Sequence, residues 1–547
     1  MAQGQGGTFG PLDDYPFMGF DARINLRQRR KIMNDAMLTP HQQRASVRTD
    51  LNESHPVVAR CLGESAMLPD APEWIYGIDN PYLHGVYAPT VNELDAPLLN
   101  IQGHWPSDLR GSYFRNGPNP QYAPPNRYHP FDGDGMVHAV HVTEEGVRYN
   151  NRWVMTPALL AERAESRSCS PGVMGPFDYG VSPFGIKDTS NTDLFVLNGQ
   201  LVSLWYNAGL PVALEPGSLR THGEFQLTGC STQTLSAHSK VDWHTGELLY
   251  FDYGDTPPYM TFGVANAQGQ VVHEIPIDLP GARLPHDLGF SEHYAVLHDM
   301  PFFHDLDVLR KHKMRVLTFH RDIPTRFGVV PRRGGTGDVR WFECEPCYVL
   351  HISNCWESGE WLIMDGCRSV NPMPAASGDE GALSHMLAYM RLEANNYRWQ
   401  FNLRTGAVKE GDIDDLNTEF NKINPLSAGR PSRYAYHQRI PTLAEGGHTL
   451  RFTGLVKYDN DTGRRWQWSY GEGVFGSEAV FAPKVGATAA SPEDDGYVLT
   501  LVTDSHSWQS WFLVFDAKDI EQGPIARAQI PQRVPAGFHA TWMPSMM

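Results

Sequence analysis

Four histidines sit where an imidazole has to find a partner. His351 lies in Cys344-Glu-Pro-Cys-Tyr-Val-Leu-His351-Ile-Ser-Asn-Cys-Trp-Glu-Ser-Gly359, which reads as a short buried strand over 348–352 broken by a polar turn. The other three stand in Ser-Ala-His238-Ser-Lys-Val, Leu-Pro-His286-Asp-Leu-Gly-Phe and Gly-Phe-His539-Ala-Thr-Trp. An imidazole buried among apolar neighbours without a hydrogen bond is unfavourable, so each position needs a ligand or a partner. Brought to one point, four neutral imidazoles suit iron, copper, nickel or zinc. Residue type alone does not separate these four from His138, His304 or His320 among the 23 histidines. A rival set for zinc is Cys344, Cys347, His351 and Cys355. On an extended strand, four-residue steps spread ligands by about 13 Å each. Such a set closes on one ion only if the strand folds back.

Positions so far apart in the chain need a scaffold that returns to one axis. From residue 80 onward the chain reads as short strands, among them 147–154, 199–206, 246–253, 294–298, 315–320 and 496–503. Turn tripeptides such as His244-Thr-Gly246, Arg404-Thr-Gly406 and Asp461-Thr-Gly463 punctuate the chain. Helix candidates are sparse, at 157–165 and 380–386. This is an all-β pattern. Residues 76–547 contain no dividing linker and form one domain in this reading, too long for an ordinary sandwich. Radial blades of four strands, about 40–65 residues each, predict a β-propeller of about seven blades. The histidine steps of 48, 65 and 188 residues fit one, one and three blades. No Trp-Asp dipeptide occurs, which disfavours the WD40 class. Residues 1–75 read as a polar extension, with 23–33 as a short basic amphipathic helix.

Composition narrows the partners. Lys+Arg 45 against Asp+Glu 62 gives a net charge of −17 with no long basic block, which argues against nucleic acid. The longest apolar runs, such as 497–502, are far too short to span a bilayer. Seven cysteines at irregular spacing, and no secretory pattern at the N-terminus, predict a cytoplasmic protein in a reducing compartment.

The order of motifs along the chain selects among the histidines. They include Asn80-Pro-Tyr-Leu-His-Gly-Val-Tyr-Ala-Pro89, Gly111-Ser-Tyr-Phe-Arg-Asn-Gly-Pro-Asn-Pro120 and Phe131-Asp-Gly-Asp-Gly-Met-Val-His138. Further along stand Asn151-Arg-Trp-Val154, Ala237-His-Ser-Lys-Val-Asp242, Glu493-Asp-Asp-Gly-Tyr497 and Val534-Pro-Ala-Gly-Phe-His539-Ala-Thr-Trp542. Over residues 80–544 the chain resembles the carotenoid cleavage oxygenases. The resemblance implies a seven-bladed β-propeller with a helical and loop cap over a substrate tunnel, and an axial Fe(2+) on His238, His286, His351 and His539. It implies that Glu419 and Glu478 accept hydrogen bonds from ligand imidazoles, which would fix their tautomers and raise their basicity. Thr192 matches a position beside the iron that can obstruct one approach to it. A third glutamate of the family is missing: counting from Gly199 puts Tyr206 there, and counting back from Leu210-Pro211 puts Asn207 there. Asn207 is the preferred register, and one ligand is expected to lack a carboxylate.

The activity so implied is O2-dependent cleavage of a conjugated C=C bond to two carbonyl products, with the protein supplying orientation and a dry tunnel. Stilbene and phenylpropene cleavers of the family carry a Lys just before the missing glutamate, where this chain has Trp205, Tyr206 and Asn207. Some also carry Tyr where this chain has Trp153. Both differences favour a carotenoid or apocarotenoid over a stilbenoid. A retinoid isomerase-type enzyme and a non-catalytic binding propeller are the remaining readings. A polyene substrate also implies peripheral membrane contact, for which segments 157–177 and 376–390 are the expected apolar rim.

Overall fold

The computed structural model describes residues 67–182, 184–374 and 384–545, which run mostly in antiparallel strands. The basic segment 23–33 and residues 376–383 lie outside the described residues. Seven sheets of at least four strands follow one another, forming a seven-bladed β-propeller. We letter the blades A to G in chain order. Blade A centres on Gly111–Pro118, Gly135–Val142 and Val147–Trp153. The strands lining the axis in blades B to G begin at Asp193–Leu197, Lys240–Val241, Gly289–Phe290, Tyr348–Ser358, Thr418–Lys422 and Val480–Pro483. The axial strand of blade A comes from the other end of the chain: Ala540–Pro544 pairs with Gly111–Pro118, from Gly111↔Pro544 to Arg115↔Ala540. That pairing closes the ring and removes an open sheet edge.

Local chemistry explains the meanders. The three turn tripeptides build one repeated device, in which an Asp or Asn side chain four residues before the glycine accepts backbone N–H groups. Asp242 accepts from His244, Asn402 from Arg404 and Thr405, and Asp459 from Asp461 and Thr462. In each, the closing glycine donates its own N–H back to the carbonyl of that Asp or Asn. The helix Pro157–Glu165 starts on proline with the Thr156 hydroxyl accepting from Leu159 N at 3.1 Å, and stops at left-handed Ser166. The second helix is described over Ser384–Tyr389; the expected start at 380 lies outside the described residues. A third, Leu306–His312, was not legible because it is seven residues long and carries only Leu309 buried.

The core is distributed between neighbouring blades instead of gathered at a centre. Phe327, Phe342 and Trp399 pack between blades D and E, while Tyr113, Val140, Leu499 and Phe512 pack between A and G. A further cluster joins cap residues such as Tyr82, Met174, Leu387 and Met390 to Phe420, Tyr436 and Phe481.

Two sequence expectations change here. The His351 strand does not break after residue 352 but runs to Ser358 through two register shifts, with Gly359 (φ 60°) making the turn. A bulge lets one strand re-aim its side chains without ending. The segment 157–177 is not an apolar rim either: Leu159, Val173, Met174 and Phe177 are buried and only Leu160 among them is exposed. Met386, Leu387 and Met390 are buried too, packed into the cap cluster. No described helix is long and apolar enough to cross a membrane.

The ring closure can be tested at Gly111, whose φ is +146° and where an added Cβ would stand 2.4 Å from the Met543 carbonyl oxygen and 2.5 Å from the Trp542 ring. We expect Gly111→Ala to destabilise the fold by about 2–3 kcal/mol, through strain and displacement of the closing strand. A melting temperature equal to that of the parent would contradict this role for the C-terminal strand.

Candidate metal centre

The start of the axial strand in every blade carries at least one chemically active side chain. Thr192 and Asp193 stand there in blade B, His238 in C, His286 in D, His351 in E, Glu419 in F, Glu478 in G and His539 in A. Each lies within three residues of the beginning of its strand. Radial repetition therefore brings to one axis residues that the sequence scatters over about 350 positions.

The four imidazoles converge. One ring nitrogen from each of His238, His286, His351 and His539 lies within 4.8 Å of the others. His238 Nε2 and His286 Nε2 are 3.2 Å apart, and the His238 and His539 ring centroids are 4.5 Å apart, nearly perpendicular. All four are at most 9% exposed. His351 Nε2 is buried without a partner among the described residues. Burial, aided by the neighbouring histidines, lowers the pKa values of His286 and His539 well below the ordinary imidazole value. Burial and His539 also lower His238, to about 4, against the opposing pull of Asp193. These rings are neutral near pH 7, the form a metal requires. Four inward nitrogen donors, one of them unpartnered, fit a divalent transition metal.

Carboxylates hold the outward nitrogens. His351 Nδ1 is 2.5 Å from Glu419 Oε2, and His539 Nδ1 is 3.0 Å from Glu478 Oε1. Burial disfavours charge on His351, but Glu419 outweighs it and raises the pKa. Both carboxylates are fixed in turn: Glu419 accepts from Phe420 N, and Glu478 from Ala540 N at 2.6 Å. Lys422 Nζ lies 3.3 Å from Glu478 Oε2. Two residues of this ring, His238 (φ 64°) and Phe420 (φ 55°), have left-handed backbone. Such conformations are unfavourable by about 1–3 kcal/mol each and persist where the surroundings hold them. Phe420 stacks on the His539 ring at 4.6 Å.

A third carboxylate, missed from the sequence, is Asp193. Its Oδ2 lies 3.3 Å from His238 Nδ1 and accepts from His238 N at 2.9 Å. It is legible only once the blade register is known, because it occupies blade B's equivalent of the histidine positions. His286 is the one of the four histidines without a carboxylate partner among the described residues. The expectation that Asn207 marks the vacant place is corrected. Tyr206 stands with Thr192 and His286 on one cavity wall, stacked 4.0 Å from Phe131, whereas half-buried Asn207 is not part of that wall.

Other candidates have ordinary roles. His138 Nδ1 is 2.8 Å from the Tyr149 hydroxyl, His304 lies 3.3 Å from Asp255, and His320 stacks on Phe303. Cys344, Cys347 and Cys355 are buried free thiols outside the histidine group, and burial raises all three pKa values, so they are poor metal ligands.

Two spaces of opposite character meet at the histidines. One holds about 870 Å³ of atom-free space, with walls from Phe131, Tyr206, Leu284, Phe302, Leu350 and Phe538, and reaches His286, His351 and His539. Thr192 is on this wall; its hydroxyl donates to Asn191 Oδ1 and accepts from Tyr206 N, which leaves its methyl group for the cavity. The other space, about 1460 Å³, runs along the axis and reaches His238, His351 and His539 from among charged residues.

The family model described as RPE65, retinal pigment epithelial membrane protein, matches residues 87–544. A carotenoid 9,10(9′,10′)-cleavage dioxygenase 1 from Phaseolus vulgaris is 32% identical over 492 residues, covering 84% of this chain and 88% of its own. An isoeugenol monooxygenase from Pseudomonas nitroreducens is 30% identical, covering 85% of this chain and 98% of its own. The crystal structure of Pseudomonas brassicacearum lignostilbene dioxygenase superposes with a TM-score of 0.75 at 28% identity, covering 88% of this chain and all of that one.

Two outcomes follow from the geometry. Glu419→Gln should weaken metal affinity by about 10–100-fold in chelator competition, since it removes the charge behind His351; unchanged affinity would contradict the tether. Tyr206→Glu should slow loss of metal to a chelator, and Asn207→Glu should leave it unaltered. The reverse pattern would restore the register counted from the proline.

Proposed function

The chain belongs to the RPE65 and carotenoid cleavage oxygenase family, and from that premise we propose that it is an oxygenase that holds Fe(2+) on His238, His286, His351 and His539. Its substrate in this reading is a carotenoid or apocarotenoid, cleaved with O2 at a conjugated C=C bond to give two carbonyl products. The supporting observation is an apolar cavity that ends on His286, His351 and His539, three of the four converging imidazoles. When bound, ferrous iron with neutral ligands supplies the means to use O2 without an external reductant, the electron-rich alkene furnishing the electrons.

The residues of the chain do the rest. Phe131, Leu284, Leu350 and Phe538 give a polyene an apolar, water-poor seat against the histidines. The Thr192 methyl group narrows one approach to the imidazoles. Glu419, Glu478 and Asp193 keep the inward nitrogens free of protons and aimed at one point. No side chain has to act as a general acid or base.

A second substrate class has its own support. Arg391 and Glu393 lie on the wall of the same cavity, and both suit the polar end of a phenolic alkene. Isoeugenol monooxygenase and lignostilbene dioxygenase, named for such compounds, are among the relatives.

The iron-loaded protein should therefore consume O2 and yield paired carbonyl products from one class in a panel of carotenoids, apocarotenoids and stilbenoids, identified by mass spectrometry. His351→Ala should lose both the bound iron and the activity. Full activity in that variant would sink the four-histidine centre, and product from stilbenoids alone would replace the polyene reading with the phenolic one.

A further inference from the structure

The axial channel has no part in binding an apolar substrate, yet it is the larger of the two spaces that touch the histidines. Apolar side chains line part of it, but its wall carries more charged side chains than the cavity wall does. Lys240 Nζ lies 2.8 Å from Asp287 Oδ1, and Lys422 pairs with Glu478 across it. Asp193 and Asp242 add two more carboxylates. Two of the three carboxylates that tether the imidazoles, Asp193 and Glu478, thus also face the channel, whereas Glu419 does not line it.

A divalent ion travels with its hydration shell. Drawing it past aromatic and aliphatic walls would strip that shell with nothing in exchange, which is strongly unfavourable. A channel wide enough for a hydrated ion, with carboxylates along its wall, offers oxygen donors on the way and ends on imidazoles held by two of the same carboxylates. We propose that the axial channel, and not the apolar cavity, is the path by which the metal ion reaches and leaves the four histidines. The inference rests on the metal-centre reading above and adds a division of labour: the ion enters from one face of the propeller and the organic substrate from elsewhere. Metal exchange and substrate binding are then independent of each other.

Val196 in blade B and Ile423 after the axial strand of blade F line the channel at half-buried positions, away from the histidines and their carboxylate partners. Leu392 is half-buried on the cavity wall. The test compares Val196→Trp, Ile423→Trp and Leu392→Trp with the parent, each loaded anaerobically with ferrous iron to the same final content. Release to a charged, water-soluble iron chelator is followed by absorbance, and circular dichroism melts verify the fold. The milder Val196→Phe stands in for a tryptophan variant that does not fold. Release should slow by at least about tenfold in the two channel variants, as expected when a passage is gated. It should stay at the parental rate in Leu392→Trp, whose KM for substrate should change instead. Parental release rates in both channel variants, or slowed release in Leu392→Trp, would overturn the route while leaving the metal centre standing. A parent chain that takes up no divalent metal would overturn both.

Discussion

Four imidazoles crowded into a space a few ångströms wide constrain everything around them. Each repels the others when protonated, and each loses hydration in the crowd, so burial and mutual repulsion both favour neutral rings. Neutral rings bring a second problem, because an untethered imidazole can turn or take the wrong tautomer. The carboxylates of Asp193, Glu419 and Glu478 answer it by holding the outward nitrogens of His238, His351 and His539. Left-handed backbone at His238 and Phe420 is the strain that this arrangement imposes, and the closed ring of blades is rigid enough to bear it.

The same geometry explains the division of space. His351 and His539 line both the apolar cavity and the axial channel, whose wall carries more charged side chains. A centre that touches two such spaces is open to two kinds of visitor at once. Greasy alkenes suit one side, and water and ions suit the other. His286 is the exception in the ring, being the histidine with no carboxylate behind it among the described residues, and Tyr206 stands with it on the apolar wall.

Much of this was readable before any coordinates. Strand density and turn chemistry pointed to radial blades, because each Thr-Gly turn leaves a local mark that needs no tertiary context. The identity of the four histidines was readable from ordered motifs, but not from residue type, since buried His138 and His304 look alike in one dimension. What stayed hidden depended on three-dimensional register. Asp193 gains meaning only as the blade B equivalent of His238. The choice between Tyr206 and Asn207 turns on which of the two side chains shares the cavity wall with His286, and two neighbours in sequence do not reveal that. Likewise the leucines and methionines of 157–177 look like a membrane rim in sequence, yet the cap buries most of them against the blades.

The most direct measure of the central claim is X-ray absorption on the iron-loaded protein. The account predicts a ferrous edge and four imidazole nitrogens at roughly 2.1 Å, a length usual for metal–imidazole bonds, with the multiple-scattering pattern of intact rings. Sulfur scattering from a cysteine, or a shell with fewer than four imidazoles, would contradict it.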